Sequence, residues 1–212
     1  MSERQTLTDE AEARTYAKSL GGEKAGKRLE RYAELLLEEN QRQNLISKPS
    51  EASLWVRHIA DSAQLLEHID PVTGGTDQGP WLDLGSGPGL PGLVISILRP
   101  QMTVVLVESR ARRVEFLERC VSELDLHKCT ILGERLERVE PFDARIISAR
   151  AFAPLEKLLR LSSPFSTKQT RYLLPKGRSA AHELEKAKSS IRRMFHVKHS
   201  LTDADAGIIV SK

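Results

Sequence analysis

The stretch that decides the fold is Trp81-Leu82-Asp83-Leu84-Gly85-Ser86-Gly87-Pro88-Gly89-Leu90-Pro91-Gly92. Leu82 and Leu84 make its first residues a short buried strand, which the chain leaves through glycines at the alternate positions 85, 87 and 89. Glycines so placed permit positive φ and let the backbone approach a ligand closely. Pro91 suits the first turn of a following helix, where its missing N–H loses no hydrogen bond. A glycine loop at the carboxyl end of a strand is where open α/β sheets hold nucleotides.

Downstream, short apolar runs alternate with helical patterns. Segments 103–108 (TVVLVE), 129–132 (CTIL), 143–149 (DARIISA) and 172–174 (YLL) read as strands. Segments 90–98, 111–124 and 154–161 read as helices, the first stopped by Pro100. Such alternation predicts right-handed βαβ units in a parallel sheet covered on both faces. The last third fits one helix over 182–194 and strands over 195–201 and 207–211.

Upstream, residues 8 to 70 read as helical. Leu29, Tyr32, Ala33, Leu36 and Leu37 form an amphipathic stripe. Ser50 is placed to cap the next helix, whose Leu54, Ile59, Leu66 and Ile69 face a core before Asp70-Pro71 ends it. The segment 71–80, PVTGGTDQGP, reads as a linker. The expected division is a helical region over 1–72 and an α/β domain over 73–212, with a mostly parallel seven-stranded sheet.

Composition narrows the class. The chain has 212 residues, 40% hydrophobic and 29% charged, enough for a packed core with a soluble surface. No apolar run is long enough for a membrane span, and the opening MSERQTLTDEAEAR lacks a signal-peptide pattern, so a cytoplasmic location is expected. Cys120 and Cys129 form no metal or disulfide framework. His196 and His199 lack a third ligand nearby, so no metal is expected. The net charge of +3 is compatible with a nucleic-acid partner. Arg110, Arg112, Arg113, Arg145, Arg150, Lys176 and Arg178 fall near strand ends and the loops after them.

Two cofactors compete for the glycine loop. Gly87-x-Gly89-x-x-Gly92 matches the dinucleotide pattern, with Glu108 about 20 residues on. Counted from Gly85, the glycine that follows the strand, Leu90 stands where the third glycine belongs. The acid before the first glycine, Asp83, instead resembles motif I of S-adenosylmethionine methyltransferases of the class I Rossmann-like type. That cofactor has no pyrophosphate, and its sulfonium and ammonium favour a nearby carboxylate. Glu108 would accept from ribose hydroxyls with either cofactor.

Further motifs resemble one family: the bacterial 16S ribosomal RNA guanine-N7 methyltransferases, the RsmG or glucose-inhibited division protein B family. They are Asn44-Leu45, Arg57-His58-x-x-Asp61-Ser62, the Leu-Pro-Gly that closes the glycine loop, the segment Ser109–Phe116, Ser148–Ala153 and Lys176-Gly177. Ile46-Ser47, Ala111-Arg112 and Ala149 depart from the usual pattern. The resemblance implies an S-adenosylmethionine site at Gly85, Leu90, Leu136, Glu137 and Arg150, to which the loop reading adds Asp83, Gly87, Gly89 and Glu108. It also implies functional roles for Arg57, His58 and Arg150 beside the reacting atoms. The implied reaction is methylation of N7 of guanine 527 in 16S ribosomal RNA.

Guanine N7 has a lone pair and no proton, so its methylation needs alignment of nucleophile, methyl and sulfur rather than a general base. Arg110, Arg112, Arg113, Lys176 and Arg178, with Arg150, are expected on one rim of the sheet as RNA contacts. The partner the resemblance implies is 16S RNA or the small subunit, with a monomer expected to meet it. An NAD-dependent oxidoreductase, a non-catalytic RNA-binding protein on this fold and a small-molecule methyltransferase are the competing readings.

Overall fold

A computed structural model describes residues 6–69 and 79–212. Its strands are β1 (Trp81–Leu84), β2 (Val104–Val107), β3 (Cys129–Leu132), β4 (Ala144–Ala149), β5 (Ser166–Gly177), β6 (Phe195–His199) and β7 (Gly207–Ser211). They form one sheet in the order β3-β2-β1-β4-β5-β7-β6. Strands β1 to β5 pair in parallel, and β7 runs antiparallel to both β5 and β6. The carboxyl ends of β1 to β5 therefore share one edge, and β1 lies beside the point where the strand order reverses.

All four residues of β1 and of β2 are buried, as parallel strands covered on both faces require. Leu82, Leu84, Val107 and Ile147 pack toward helices α6 (Leu155–Ser162) and α7 (Ala180–Lys186). Trp81, Leu106 and Ile146 pack toward α4 (Gly92–Leu98) and α5 (Ala111–Glu123). The amino-terminal helices α1 (Glu10–Ser19) and α2 (Gly22–Asn40) share this second core, through Ala13, Leu29, Tyr32 and Leu36. The linker expected over 71–80 and the 72/73 division fall, but for Gly79 and Pro80, outside the described residues.

Three expectations need correction. The helix expected from Ser50 is a succession of tight and wide turns: 3₁₀ over Lys48–Ser53, π over Trp55–Ala60, one α turn at Asp61–Ala63 (α3), and 3₁₀ over Gln64–His68. Ser50 does not cap it, because its hydroxyl donates to the Ser47 carbonyl at 2.7 Å. The carboxylate of Glu10 on α1 takes that role, accepting from the N–H groups of Trp55 and Val56 at 3.0 and 2.8 Å. The single helix expected over 182–194 is split into α7 and α8 (Ser189–Met194). Ala187 turns extended there, buried against the core, and Lys188 N–H donates to Glu156. Finally, YLL is the centre of a much longer strand, β5.

Candidate active site

Gly85, Gly87 and Gly89 adopt φ of +64°, +57° and +97°, the left-handed region that L side chains avoid. The Ser86 carbonyl accepts from Gly89 and Leu90, which closes the loop into the start of α4. Two buried groups hold the loop from beneath. Asp83, wholly inaccessible, accepts from Ser148 Oγ at 2.6 Å and from Gly92 N–H at 3.2 Å. Tyr32 on α2 donates to the Pro88 carbonyl at 2.9 Å. Burial pushes the Asp83 carboxyl up to about 6, against the lowering effect of its hydrogen bonds and Arg150. Asp83 thus shapes the loop from beneath and has no open face of its own.

Glu108 follows β2 and lies under the same loop. Its carboxylate accepts from Gly87 N–H at 3.0 Å, Ser109 N–H at 2.8 Å and Arg110 N–H at 2.9 Å. Arg113 approaches it at 3.7 Å. One carboxylate therefore ties the glycine loop to the turn after β2.

A cleft of about 280 Å³ opens over this edge, lined by Gly85, Glu108, Leu136, Glu137 and Phe152. Sequence reasoning named the first four as cofactor residues, and the fold brings them together. Leu136 is buried at its wall and Glu137 exposed at its rim. Leu90 is also buried, within the loop itself. The Phe152 ring lies so close to Gly85 that a Cβ there would stand 2.5 Å from its Cδ2. Ala151, at φ +51°, supplies the backbone turn that brings Phe152 back over the loop. Lys176 and Glu183 hold the segment after it: Lys176 donates to the Ala153 carbonyl at 2.7 Å and pairs with Glu183 at 3.0 Å.

Beside this cleft lies a larger cavity of about 710 Å³, lined by Arg57, Asp61, Arg150, Lys176, Ser200 and Thr202 among others. Arg150 donates to His58 Nδ1 at 2.8 Å and approaches Asp61 at 3.6 Å. Arginine can only donate, so Nδ1 is the acceptor and Nε2 carries the proton. Nε2 in turn lies 2.9 Å from Ser50 Oγ. Burial, then Arg150 and Arg57, lower the His58 pKa to about 3. His58 is therefore a neutral acceptor that orients Arg150. Asp61 also accepts from Gln64 at 2.8 Å and Thr202 at 3.0 Å, joining this network to the loop between β6 and β7.

The residues expected on a basic rim differ in exposure and in pairing. Arg110 and Arg112 are exposed at the start of α5, Arg57 is exposed on the larger cavity, and none of the three has an ion pair among the described residues. Arg113 is turned inward to Glu108, and Arg178 pairs with Asp203 and Asp205 at 3.4 and 3.7 Å. Lys176 departs most, since its side chain is only 8% exposed and engaged with Glu183. Arg150 lines the larger cavity and not the smaller cleft. Sequence reasoning missed Ser50, Tyr32 and Ser148 as supports. Tyr32 carried a legible signal, since a buried tyrosine hydroxyl needs a partner.

No helix among the described residues is long and apolar enough to cross a membrane, and no group of metal-ligating side chains is gathered among them. The GidB family profile, described as "rRNA small subunit methyltransferase G", matches residues 25–207. A protein of Erythrobacter litoralis named ribosomal RNA small subunit methyltransferase G is 48% identical over 97% of each chain. One of the same name from Novosphingobium aromaticivorans is 46% identical over 98% of this chain and 90% of its own length. Among solved structures, Aeropyrum pernix fibrillarin with bound S-adenosyl-L-methionine aligns with a TM-score of 0.52 at 15% identity, over 74% of this chain and 75% of its own. Mitomycin 7-O-methyltransferase MmcR aligns at 0.56 and 15%, over 82% and 59%. These two likenesses concern the fold, which is that of class I S-adenosylmethionine methyltransferases.

Proposed function

Because this chain belongs to the rRNA small subunit methyltransferase G family, we propose that it transfers a methyl group from S-adenosylmethionine to N7 of a guanine in 16S ribosomal RNA, guanine 527 by family resemblance. The observation that carries this reading is the pairing of two adjoining spaces at one sheet edge. One is the glycine-loop cleft with Glu108 and Leu136; the other is the cavity bearing Arg57 and Arg150.

The smaller cleft fits S-adenosylmethionine by its donor set. Gly85 leaves room under Phe152, Glu108 offers a carboxylate to the ribose, and Leu136 gives the adenine an apolar wall. Asp83, ionised above about pH 6, supplies negative charge beneath the cationic end. When bound, with Glu108, Leu136 and the glycine loop holding it, the cofactor would supply an electrophilic methyl group for transfer to the N7 lone pair. No proton moves in that step, so a neutral His58 is compatible with it.

The arginines act on the RNA. Arg57 and Arg150 are placed to neutralise phosphate or hold O6, leaving N7 free. Arg110 and Arg112 extend the positive surface along the sheet edge. Lys176 serves by bracing the segment beside Phe152. Calorimetry with S-adenosylmethionine and NAD, followed by transfer of a labelled methyl to small-subunit RNA, tests the assignment. Tight NAD binding would support the oxidoreductase, and cofactor binding without transfer to RNA would support a different acceptor.

A further inference from the structure

Between Glu185 and Asp203 the chain carries no acidic residue, whereas Lys186, Lys188, Arg192, Arg193 and Lys198 carry positive charge and His196 and His199 add imidazoles. This stretch folds mainly as α8 and β6, the outermost strand of the sheet. Alternation along β6 turns Phe195 and Val197 toward the α6–α7 layer, and His196 and Lys198 to the opposite face. Arg171 of β5 belongs to that opposite face, since Leu173 lies opposite Val210 and Val210 opposite His196. His196 is held below its ordinary range first by burial and then by Lys198, Arg171 and Lys212, which marks those cations as its neighbours. Arg192 and Arg193 are exposed on α8, on the other side of the same edge.

Neutralising partners are sparse. No ion pair engages Arg171, Arg192, Arg193 or Lys198 among the described residues. Glu67, the acid that acts on His68 on this side, accepts from the Tyr16 hydroxyl at 2.9 Å. A lysine on an outer strand discourages edge-to-edge pairing. That accounts for Lys198 but not for the paired arginines of α8 or the acid-free run. The strip is also continuous with the site: β6 ends at His199, and Ser200 and Thr202 then line the cavity that holds Arg57 and Arg150. Four strand spacings of about 4.8 Å each put β6 roughly 19 Å from β1.

We propose that α8 and β6 form a second RNA-backbone contact, a phosphate-binding strip that holds RNA flanking the target nucleotide. This rests on the rRNA methyltransferase reading above and extends it to substrate length: a short stem-loop fills the cavity but does not reach the strip. The test is the triple variant Arg192→Ala, Arg193→Ala, Lys198→Ala, assayed with a long 16S RNA fragment and with a short stem-loop carrying the target guanine. On long RNA, KM rises at least fivefold with kcat within twofold, and the slope of log affinity against log salt flattens by about 2, at roughly 0.7 per lost phosphate contact. On the stem-loop, KM stays within twofold, and S-adenosylmethionine affinity is unchanged. The charge-preserving variant Arg192→Lys, Arg193→Lys, Lys198→Arg keeps the wild-type slope. An unchanged slope, equal losses on both RNAs, or self-association of the alanine variant with unchanged RNA affinity would overturn the proposal. If the wild type methylates no ribosomal RNA, the functional reading fails, while the salt slope of RNA binding alone still judges the strip.

Discussion

Arg150 donates to Nδ1 of His58 at 2.8 Å, and His58 receives that bond as a neutral ring because burial and two arginines hold its pKa near 3. A histidine in this state cannot exchange a proton with substrate at neutral pH. It fixes where a guanidinium points.

His58→Ala should therefore lower methyl transfer at least tenfold through the freed Arg150, while S-adenosylmethionine affinity changes less than threefold. The wild-type rate should show no inflection between pH 6 and 7 from this residue, as for a positioning role. Single-turnover rates across pH 5.5 to 8.5 check both points. A variant rate within twofold of wild type would remove His58 from the account.

The same shift fixes a sign for stability. Below about 6.5 the unfolded chain protonates His58 while the folded chain does not, so this group makes stability fall as pH drops toward 3, by at most about 1.4 kcal/mol per pH unit. Asp83 acts oppositely. Between about 3.8 and 6 the folded chain holds its proton more tightly than the unfolded one, so stability falls as pH rises through that window. His58→Gln should remove only the first slope, leaving a variant that gains on wild type as pH falls from 6 to 4. Urea unfolding at these pH values reads the difference; parallel curves would contradict it.

Cofactor affinity should also titrate with Asp83. A cationic ligand favours the carboxylate, so affinity should weaken as pH falls through about 6, and Asp83→Asn should bind weakly with a flat profile. Calorimetry from pH 5 to 8 decides, and a sloping profile in Asp83→Asn would assign the titration elsewhere.

Gly85→Val should weaken S-adenosylmethionine at least tenfold, because its Cβ would meet the Phe152 ring and the residue sits at φ +64°. Glu108→Ala should weaken it similarly and lower stability by about 1–3 kcal/mol, since three backbone N–H groups lose their acceptor. Binding within twofold of wild type in either variant would displace the site from this loop.

Much of this is legible in the sequence. The alternation after Trp81 gave the parallel strands, and glycine spacing with Glu108 located the cleft, because these features are local and obey fixed periods. What stayed hidden depends on side chains far apart in sequence. Glu10 caps a segment that begins 45 residues later, and Lys176 reads as a free cation until Glu183 and Ala153 are seen around it. Arg110, Arg112 and Arg113 read alike in sequence, yet only the first two are exposed, while Arg113 turns to Glu108.

The central claim is tested most directly by mapping the product. Small-subunit RNA lacking the modification is incubated with this protein and S-adenosylmethionine, digested, and the methylated nucleoside identified and placed by mass spectrometry. The account predicts one 7-methylguanosine, at guanine 527, formed by the wild type and lost with Gly85→Val. A methyl group on another atom, on another nucleotide, or on no RNA at all would contradict it.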